Sequence, residues 1–264
     1  IAHPVFMEDN LRPEYERMNV NFDLGISNPA WQNILQDCID ADAVLVNSTF
    51  VKDTFVENGF SADKIHIAYL GVRSDFWSLK RSYDINDDGK LRILFTGSFG
   101  FRKGAEYLLE ALVMLDNKGV EYECTVVGSY GDAIPLIEKY NPKGLNLKGF
   151  IPQDELKSYL ASSDVYLFPS LCEGCASSGM EAMAAGLPVI ATKESGFPII
   201  SGQNGVIVQS KCSDSIVDAL IALKNDKSMR EKIGIAAAQD LKASYTWEKY
   251  AEKVVSIYEH ICSK

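Results

Sequence analysis

Positive charge is in short supply: the 264 residues carry 26 Lys and Arg against 36 Asp and Glu, a net charge of -10. That balance excludes a sequence-independent electrostatic grip on nucleic acid or on an anionic bilayer, and no nucleic-acid partner is expected. Long apolar runs are also missing. No stretch of 18 apolar residues and no signal peptide occurs, so no membrane-spanning helix is predicted; without an initiator Met, Ile1 reads as other than a natural start. The six cysteines (Cys38, Cys124, Cys172, Cys175, Cys212 and Cys262) are scattered, several of them inside apolar runs, which excludes a disulfide framework and suits reduced thiols in a cytosolic protein. Internal repeats and low-complexity segments are absent.

What is there is a core. Of all residues 47% are hydrophobic and 10% aromatic, enough for one large domain or two ordinary ones. From about residue 91, short β-rich runs (Arg92 to Thr96, Glu123 to Val127, Asn146 to Lys148, Val165 to Phe168, Val189 to Ala191, Val206 to Val208) alternate with helical periodicity over Ala105 to Leu115, Ala133 to Tyr140, Gln153 to Ala161, Ser178 to Ala185 and Asp214 to Leu223. Repeated units of this kind predict an α/β fold with a doubly wound parallel, Rossmann-like sheet. The first 90 residues differ. Ile1-Ala2-His3-Pro4 reads as the end of a strand, a polar Pro-containing segment follows, then a helix from Trp31 to Asp40 and a βαβ phrase: Ala43 to Asn47, Phe50 to Asn58, Lys64 to Tyr69. Too few elements are present to cover a sheet, so this part reads as the end of a second Rossmann-like domain. The tail from Thr246 to Cys262 predicts an amphipathic helix with Trp247, Tyr250, Val254, Ile257, Tyr258 and Ile261 on one side, a stripe expected to pack into a core. Charge divides unevenly: residues 1–90 hold 15 acids and 8 bases, leaving the remainder with 21 and 18 and near enough to neutral to host an anion pocket.

Ligands of open parallel sheets collect beyond the carboxyl ends of the strands, where helix N-termini present free N–H groups. Three features fall there. Gly97-Ser98-Phe99-Gly100-Phe101-Arg102-Lys103-Gly104 allows close backbone approach and sets two cations before a helix, which suits a diphosphate; a plain glycine turn with two solvated cations is the alternative. It matches neither a Walker A loop nor G-x-G-x-x-G, so an NAD-binding fold lacks its fingerprint. The second loop runs from Phe168 to Glu181. Glu173 lies in it, and Glu181 near the following helix start can stay ionised and accept hydrogen bonds from ligand hydroxyls. Their alternatives are a solvated loop acid and a capping box, Ser178-x-x-Glu181. Third, Cys172-x-x-Cys175 stands without a second pair or suitably spaced histidines, a poor zinc or redox signal. Asp40-Ala41-Asp42 ends a helix rather than a strand and is rejected as a metal-holding motif.

Glu173-x7-Glu181 followed by Ala-Met-Ala-Ala-Gly-Leu-Pro-Val-Ile-Ala-Thr, with Gly97-x5-Lys103-Gly104 upstream, resembles retaining glycosyltransferases of family 4, which have the GT-B fold. Ala41-Asp42-Ala43-Val44-Leu45-Val46-Asn47-Ser48, Lys64-Ile65-His66-Ile67-Ala68-Tyr69-Leu70-Gly71-Val72 and Tyr245-Thr246-Trp247-Glu248 extend the likeness over nearly the whole chain. The resemblance implies a layout of 1–75 as the end of the acceptor-side domain, 76–90 as linker, 91–245 as a complete donor-binding domain and 246–264 as a closing helix packing back toward the first domain. It further implies transfer of a hexose from a nucleotide diphosphate sugar to a glycan, lipid-linked or small-molecule hydroxyl, with no metal and no cofactor. Arg102 and Lys103 would neutralise the departing diphosphate, Glu173 would contact sugar hydroxyls and Glu181 the ribose. Gly174, Cys175 and Ala176, with Ser177 and Ser178 at the helix start, would hold the sugar through backbone N–H groups; Gly97 and Ser98 would line the phosphates, and Gly128 and the Gly149-Phe150-Ile151 segment would lie near the nucleoside. His3 would correspond to the family's histidine that faces the donor sugar. Two departures are visible: Ser98 replaces a frequent arginine, leaving that charge to Arg102, and Cys175-Ala176 replaces the usual Phe-Gly after the first acid. The implied setting is cytoplasmic, with peripheral membrane contact through the acceptor side. A non-catalytic nucleotide-sugar-binding fragment that needs a partner acceptor domain is the competing reading.

Overall fold

A computed structural model describes residues 2–80, 82–85 and 88–263. The chain begins with a helix, α1 (Pro4–Arg17), where the sequence suggested a strand end and a polar segment. Pro4 suits the first helical position, the His3 side chain caps the N-terminus, and Met7, Leu11 and Tyr15, four residues apart, are buried. Ile1 lies outside the described residues. Next come α2 (Pro29–Asp40), β1 (Val44–Val46), α3 (Thr49–Glu57) and β2 (Ile65–Ile67). β1 and β2 pair in parallel, Val44 opposite Ile65, as a two-stranded sheet. Their small core takes in Met7, Leu11, Phe50, Phe55 and Ile65 and reaches into the other half of the chain through Leu171 and Cys172.

The second unit contains β3 (Leu91–Thr96), α4 (Ala105–Asn117), β4 (Tyr122–Val127), α5 (Ile134–Tyr140), β5 (Leu145–Gly149), α6 (Gln153–Ser162), β6 (Val165–Phe168), α7 (Ser177–Ala185), β7 (Val189–Thr192), β8 (Val206–Val208), α8 (Ser213–Asn225) and α9 (Lys227–Ser244); α10 (Trp247–Cys262) closes the described chain. Its six strands are all parallel in the order β5-β4-β3-β6-β7-β8. Every residue of β6 and β7 is buried, as strands covered on both faces require. α4 packs on α5 and α8, and α7 on α6 and α9, so the two groups cover the sheet.

Of residues 76–90, which the sequence reads as linker, 76–80 and 82–85 lie along this unit. Ser78 and Lys80 N–H bond the Ala184 and Ala185 carbonyls at 2.9 Å each, and Tyr83 OH bonds Gly186 O at 2.8 Å. The buried Lys80 ammonium donates to Ser163 O at 2.5 Å and lies 4.0 Å from Asp164, while Arg230 reaches Tyr83 O at 2.7 Å. This strap ties the chain to the ends of α7 and β6 before β3 begins.

Two helices depart from the sequence pattern. α9 shows little of an apolar stripe because its buried face sets Gly234, Ala237 and the charged Arg230 beside Ile233 and Leu241. α10 forms as expected, but no residue of its stripe is fully buried: Tyr250, Val254, Ile257 and Ile261 are half-buried, while Trp247 and Tyr258 are exposed. The helix instead runs beside the first unit, with the His260 ring 6.3 Å from His66.

Candidate active site

Strand order creates one place where ligands collect. From β3 the chain winds outward through β4 and β5, then crosses to β6 and winds the other way, so the loops after β3 and β6 adjoin at the switch point. They are the two loops singled out from sequence.

Glycine shapes the first. Gly97 and Gly128 hold φ of +124° and +122°, Gly97 N–H bonds Val127 O at 2.8 Å and Gly128 N–H bonds Gly149 O at 2.7 Å, stitching together the turns after β3, β4 and β5. A Cβ on Gly128 would stand 2.2 Å from Gly97 O, so only glycine allows this approach. Ser98 accepts the Ser129 hydroxyl at 3.0 Å. Phe150, at the tip after β5, is 88% exposed, while Ile151 packs on the core.

A single turn of 3-10 helix, Phe101–Lys103, delivers the cations. They are not solvated. Arg102 Nη1 donates to Glu173 Oε1 at 2.5 Å and to Cys172 O at 2.8 Å; Lys103 Nζ lies 2.9 Å from the same Oε1 and 4.8 Å from the centre of the Phe168 ring. Glu173 is buried, and its N–H bonds Glu194 O at 2.9 Å. The structure therefore overturns both bland alternatives, solvated cations and a solvated loop acid.

Gly174 O accepts the Ser48 hydroxyl at 2.5 Å, a contact from the cap of α3 that joins the two units beside the site. α7 then starts with Ala176 as its cap, which offers no side-chain oxygen, so the helix's first N–H groups and positive dipole end open onto the loop of Gly174, Cys175 and Ala176. Ser177 opens the helix; Ser178, next along, donates to Thr96 O at 3.3 Å and accepts Tyr166 OH at 3.0 Å. With Ser178 inside the helix and so engaged, the capping box does not form, and Glu181 stands on the second turn. Burial pushes its carboxyl up to about 7, opposed by the positive charge of Arg73 from the turn that packs on α7. Burial likewise pushes the Cys172 and Cys175 thiols up to about 12, so both stay protonated at neutral pH.

His3 is not gathered with these groups. It is 3% exposed, its Nδ1 accepts Val5 N–H at 3.2 Å, its own N–H bonds the Thr54 hydroxyl at 3.0 Å, and its ring stands edge-on to Phe55 and Phe60 at 5.0 and 5.8 Å. Burial lowers its pKa, which favours the neutral imidazole. The sequence placed the residue near the site, since the neighbouring Ala2 N–H reaches the Cys172 sulfur, but the imidazole turns into the core as a helix cap.

α1 itself went unread, and it flanks the site. Asn10 Nδ2 donates to Leu171 O at 2.8 Å, the Tyr15 ring lies 5.8 Å from Phe101, Tyr107 OH donates to Glu14 at 2.7 Å, and Arg17 pairs with Glu106. The four-residue spacing of Met7, Leu11 and Tyr15 was the available signal; Pro13 within the segment argued against a helix.

A doubly wound parallel sheet with paired cations, a buried carboxylate and an open helix N-terminus at its switch point defines an α/β protein suited to a phosphate-bearing ligand. The chain belongs to the family Glycosyl transferases group 1, whose sequence model matches residues 75–240. An uncharacterized glycosyltransferase of Methanocaldococcus jannaschii is 32% identical over 215 residues, covering 75% of this chain and 54% of the relative. The chain spans about half the length of the curated relatives it matches. Among solved structures, sucrose-phosphate synthase of Thermosynechococcus elongatus superposes with a TM-score of 0.78 at 20% identity, over 99% of this chain and 66% of that one. Anabaena HepE, solved with UDP and glucose, gives 0.73 at 14% identity, over 98% and 70%. The fold is thus of the GT-B glycosyltransferase type. No helix among the described residues is long and apolar enough to cross a membrane.

Proposed function

We propose that this chain carries the donor site of a retaining family 4 hexosyltransferase, which moves a hexose from a nucleotide diphosphate sugar to a hydroxyl of a glycan, lipid-linked or small-molecule acceptor. The observation that carries the reading is the Arg102/Lys103 pair held at the mouth of α7. Breaking the sugar–phosphate bond leaves negative charge on the diphosphate; two cations and an uncapped helix N-terminus stabilise that charge, a task that needs no metal. Glu173 and the backbone of Gly174 to Ser178 would hold the sugar, Glu181 the ribose, and Gly149 to Ile151 the base. A cleft of about 610 Å³ lined by Phe50, Tyr69, Phe197, Pro198 and Ile200 opens between the two units and suits the acceptor side. Supplied with UDP-, GDP- and ADP-hexoses and a panel of glycan, lipid-linked and small-molecule hydroxyl acceptors in EDTA, the protein is expected to form product with the donor's anomeric configuration by NMR; an inverted product, or activity that EDTA abolishes, contradicts the reading.

The raised pKa of Glu181 adds a pH dependence. The ionised carboxylate accepts ribose hydroxyls, so UDP-glucose affinity is expected to rise between pH 6 and pH 8, falling up to about tenfold per unit below 7, and Glu181→Gln should flatten that profile in calorimetry. The sign for folding is opposite: with its pKa raised, Glu181 contributes fully below the ordinary glutamate range, and that contribution is lost as pH climbs through about 7.

A further inference from the structure

The cations at the switch point already have an anion. A single oxygen, Glu173 Oε1, is shared by Arg102 Nη1 at 2.5 Å and Lys103 Nζ at 2.9 Å, in a setting where the three side chains are 12–29% exposed. At such distances and burial this is a strong, charge-assisted cluster, not a screened surface pair. The rest of the cradle is fixed independently of it: Arg102 O accepts Leu171 N–H at 2.9 Å and the Ser170 hydroxyl at 3.2 Å, Arg102 Nη1 also holds Cys172 O, and Glu173 N–H is tied to Glu194 O. The loops therefore keep their places when the carboxylate swings away.

We propose that Glu173 is an internal counter-ion that a bound diphosphate must displace, and that its displacement frees the carboxylate to accept hydroxyls of the donor's sugar. The inference rests on the donor-site reading above and adds an exchange to it. Two anions compete for one cation pair, so the carboxylate lowers the affinity for any bare diphosphate. A ligand carrying a sugar recovers the loss, because the released carboxylate gains hydroxyl hydrogen bonds in exchange for the two cations. Glu173 thereby discriminates between a nucleotide sugar and a nucleoside diphosphate: it penalises both through competition and rewards only the former. The product diphosphate is the species left without the reward, which favours its release.

The test is a calorimetric comparison of inorganic pyrophosphate, UDP and UDP-glucose on the whole chain and on Glu173→Gln and Glu173→Asp. Removing the competing charge in Glu173→Gln is expected to tighten pyrophosphate and UDP about five- to tenfold, while UDP-glucose tightens less or weakens, so the UDP-glucose to UDP affinity ratio falls. Glu173→Asp retains the charge on a shorter arm and should fall between. Circular dichroism and a melting curve establish that each variant is folded; if Glu173→Gln is not, the aspartate variant alone must tighten pyrophosphate. Equal or weaker pyrophosphate and UDP binding in folded variants, with binding to the parent intact, overturns the exchange and leaves the donor site standing. Absence of binding to the parent by all three ligands overturns both.

Discussion

Replacing Lys103 by alanine is expected to weaken UDP binding about 10- to 100-fold, since a charge-assisted hydrogen bond in a partly buried site is worth roughly 1.5–3 kcal/mol. The side chain is 12% exposed, lies 2.9 Å from Glu173 and stacks over Phe168, so its ammonium is held where the loops after β3 and β6 meet. Lys103→Arg keeps the charge with a different fork geometry and should recover only part of the loss. Because Glu173 keeps its bond to Arg102 when Lys103 is replaced, and among the described residues the Lys103 side chain makes no hydrogen bond to a main-chain atom, unlike that of Arg102 with its bond to Cys172 O, the variant should melt close to the parent. Titration calorimetry of both variants checks this; UDP affinity unchanged in Lys103→Ala contradicts the assignment of the cation to the diphosphate.

The largest effect on stability is expected one residue on. Gly104 holds φ +72°, and a Cβ there would stand 2.0 Å from Pro169 O, a backbone atom of the facing loop. Gly104→Ala combines left-handed strain with a steric overlap that neither loop can relieve cheaply, for a destabilisation of about 2–4 kcal/mol. Chemical denaturation would read it as a lower midpoint at unchanged slope. Gly119 also sits at positive φ, +68°, but no atom lies within 4 Å of its would-be Cβ; Gly119→Ala should cost only the strain, about 1–2 kcal/mol. Equal midpoints for the two variants would remove the contact between the two loops from the explanation.

Much of the second unit was legible from sequence because buried parallel strands are short uninterrupted apolar runs. Val165 to Phe168 and Val189 to Ala191 announce themselves in this way, and the glycines and charges that follow such runs mark the strand ends where ligands collect. What stayed hidden depends on partners remote in the chain. Arg102 and Glu173 are separated by 71 positions, and no local pattern says that a loop cation will meet a loop acid. Ser178-x-x-Glu181 has the spacing of a capping box, yet the helix begins one residue earlier and Ser178 turns to Thr96 and Tyr166 of the neighbouring strands. His3 was placed by its distance from a strand, which fixes the backbone position but not the rotamer; the aromatic pair Phe55 and Phe60 decides where the ring goes. The stripe on α10 has the period of a core helix, and period alone does not say what covers a face.

In the donor site proposed above, one nucleotide sugar spans the carboxyl ends of β3 to β6, with its diphosphate at Arg102 and Lys103. Amide hydrogen exchange with and without saturating UDP-glucose, read peptide by peptide, tests it most directly. Slowed exchange is expected only in three segments distant in sequence, 97–104, 149–151 and 174–178, with the effect at 97–104 lost in Lys103→Ala. Protection that falls elsewhere, or none in these segments while the ligand binds, would contradict it.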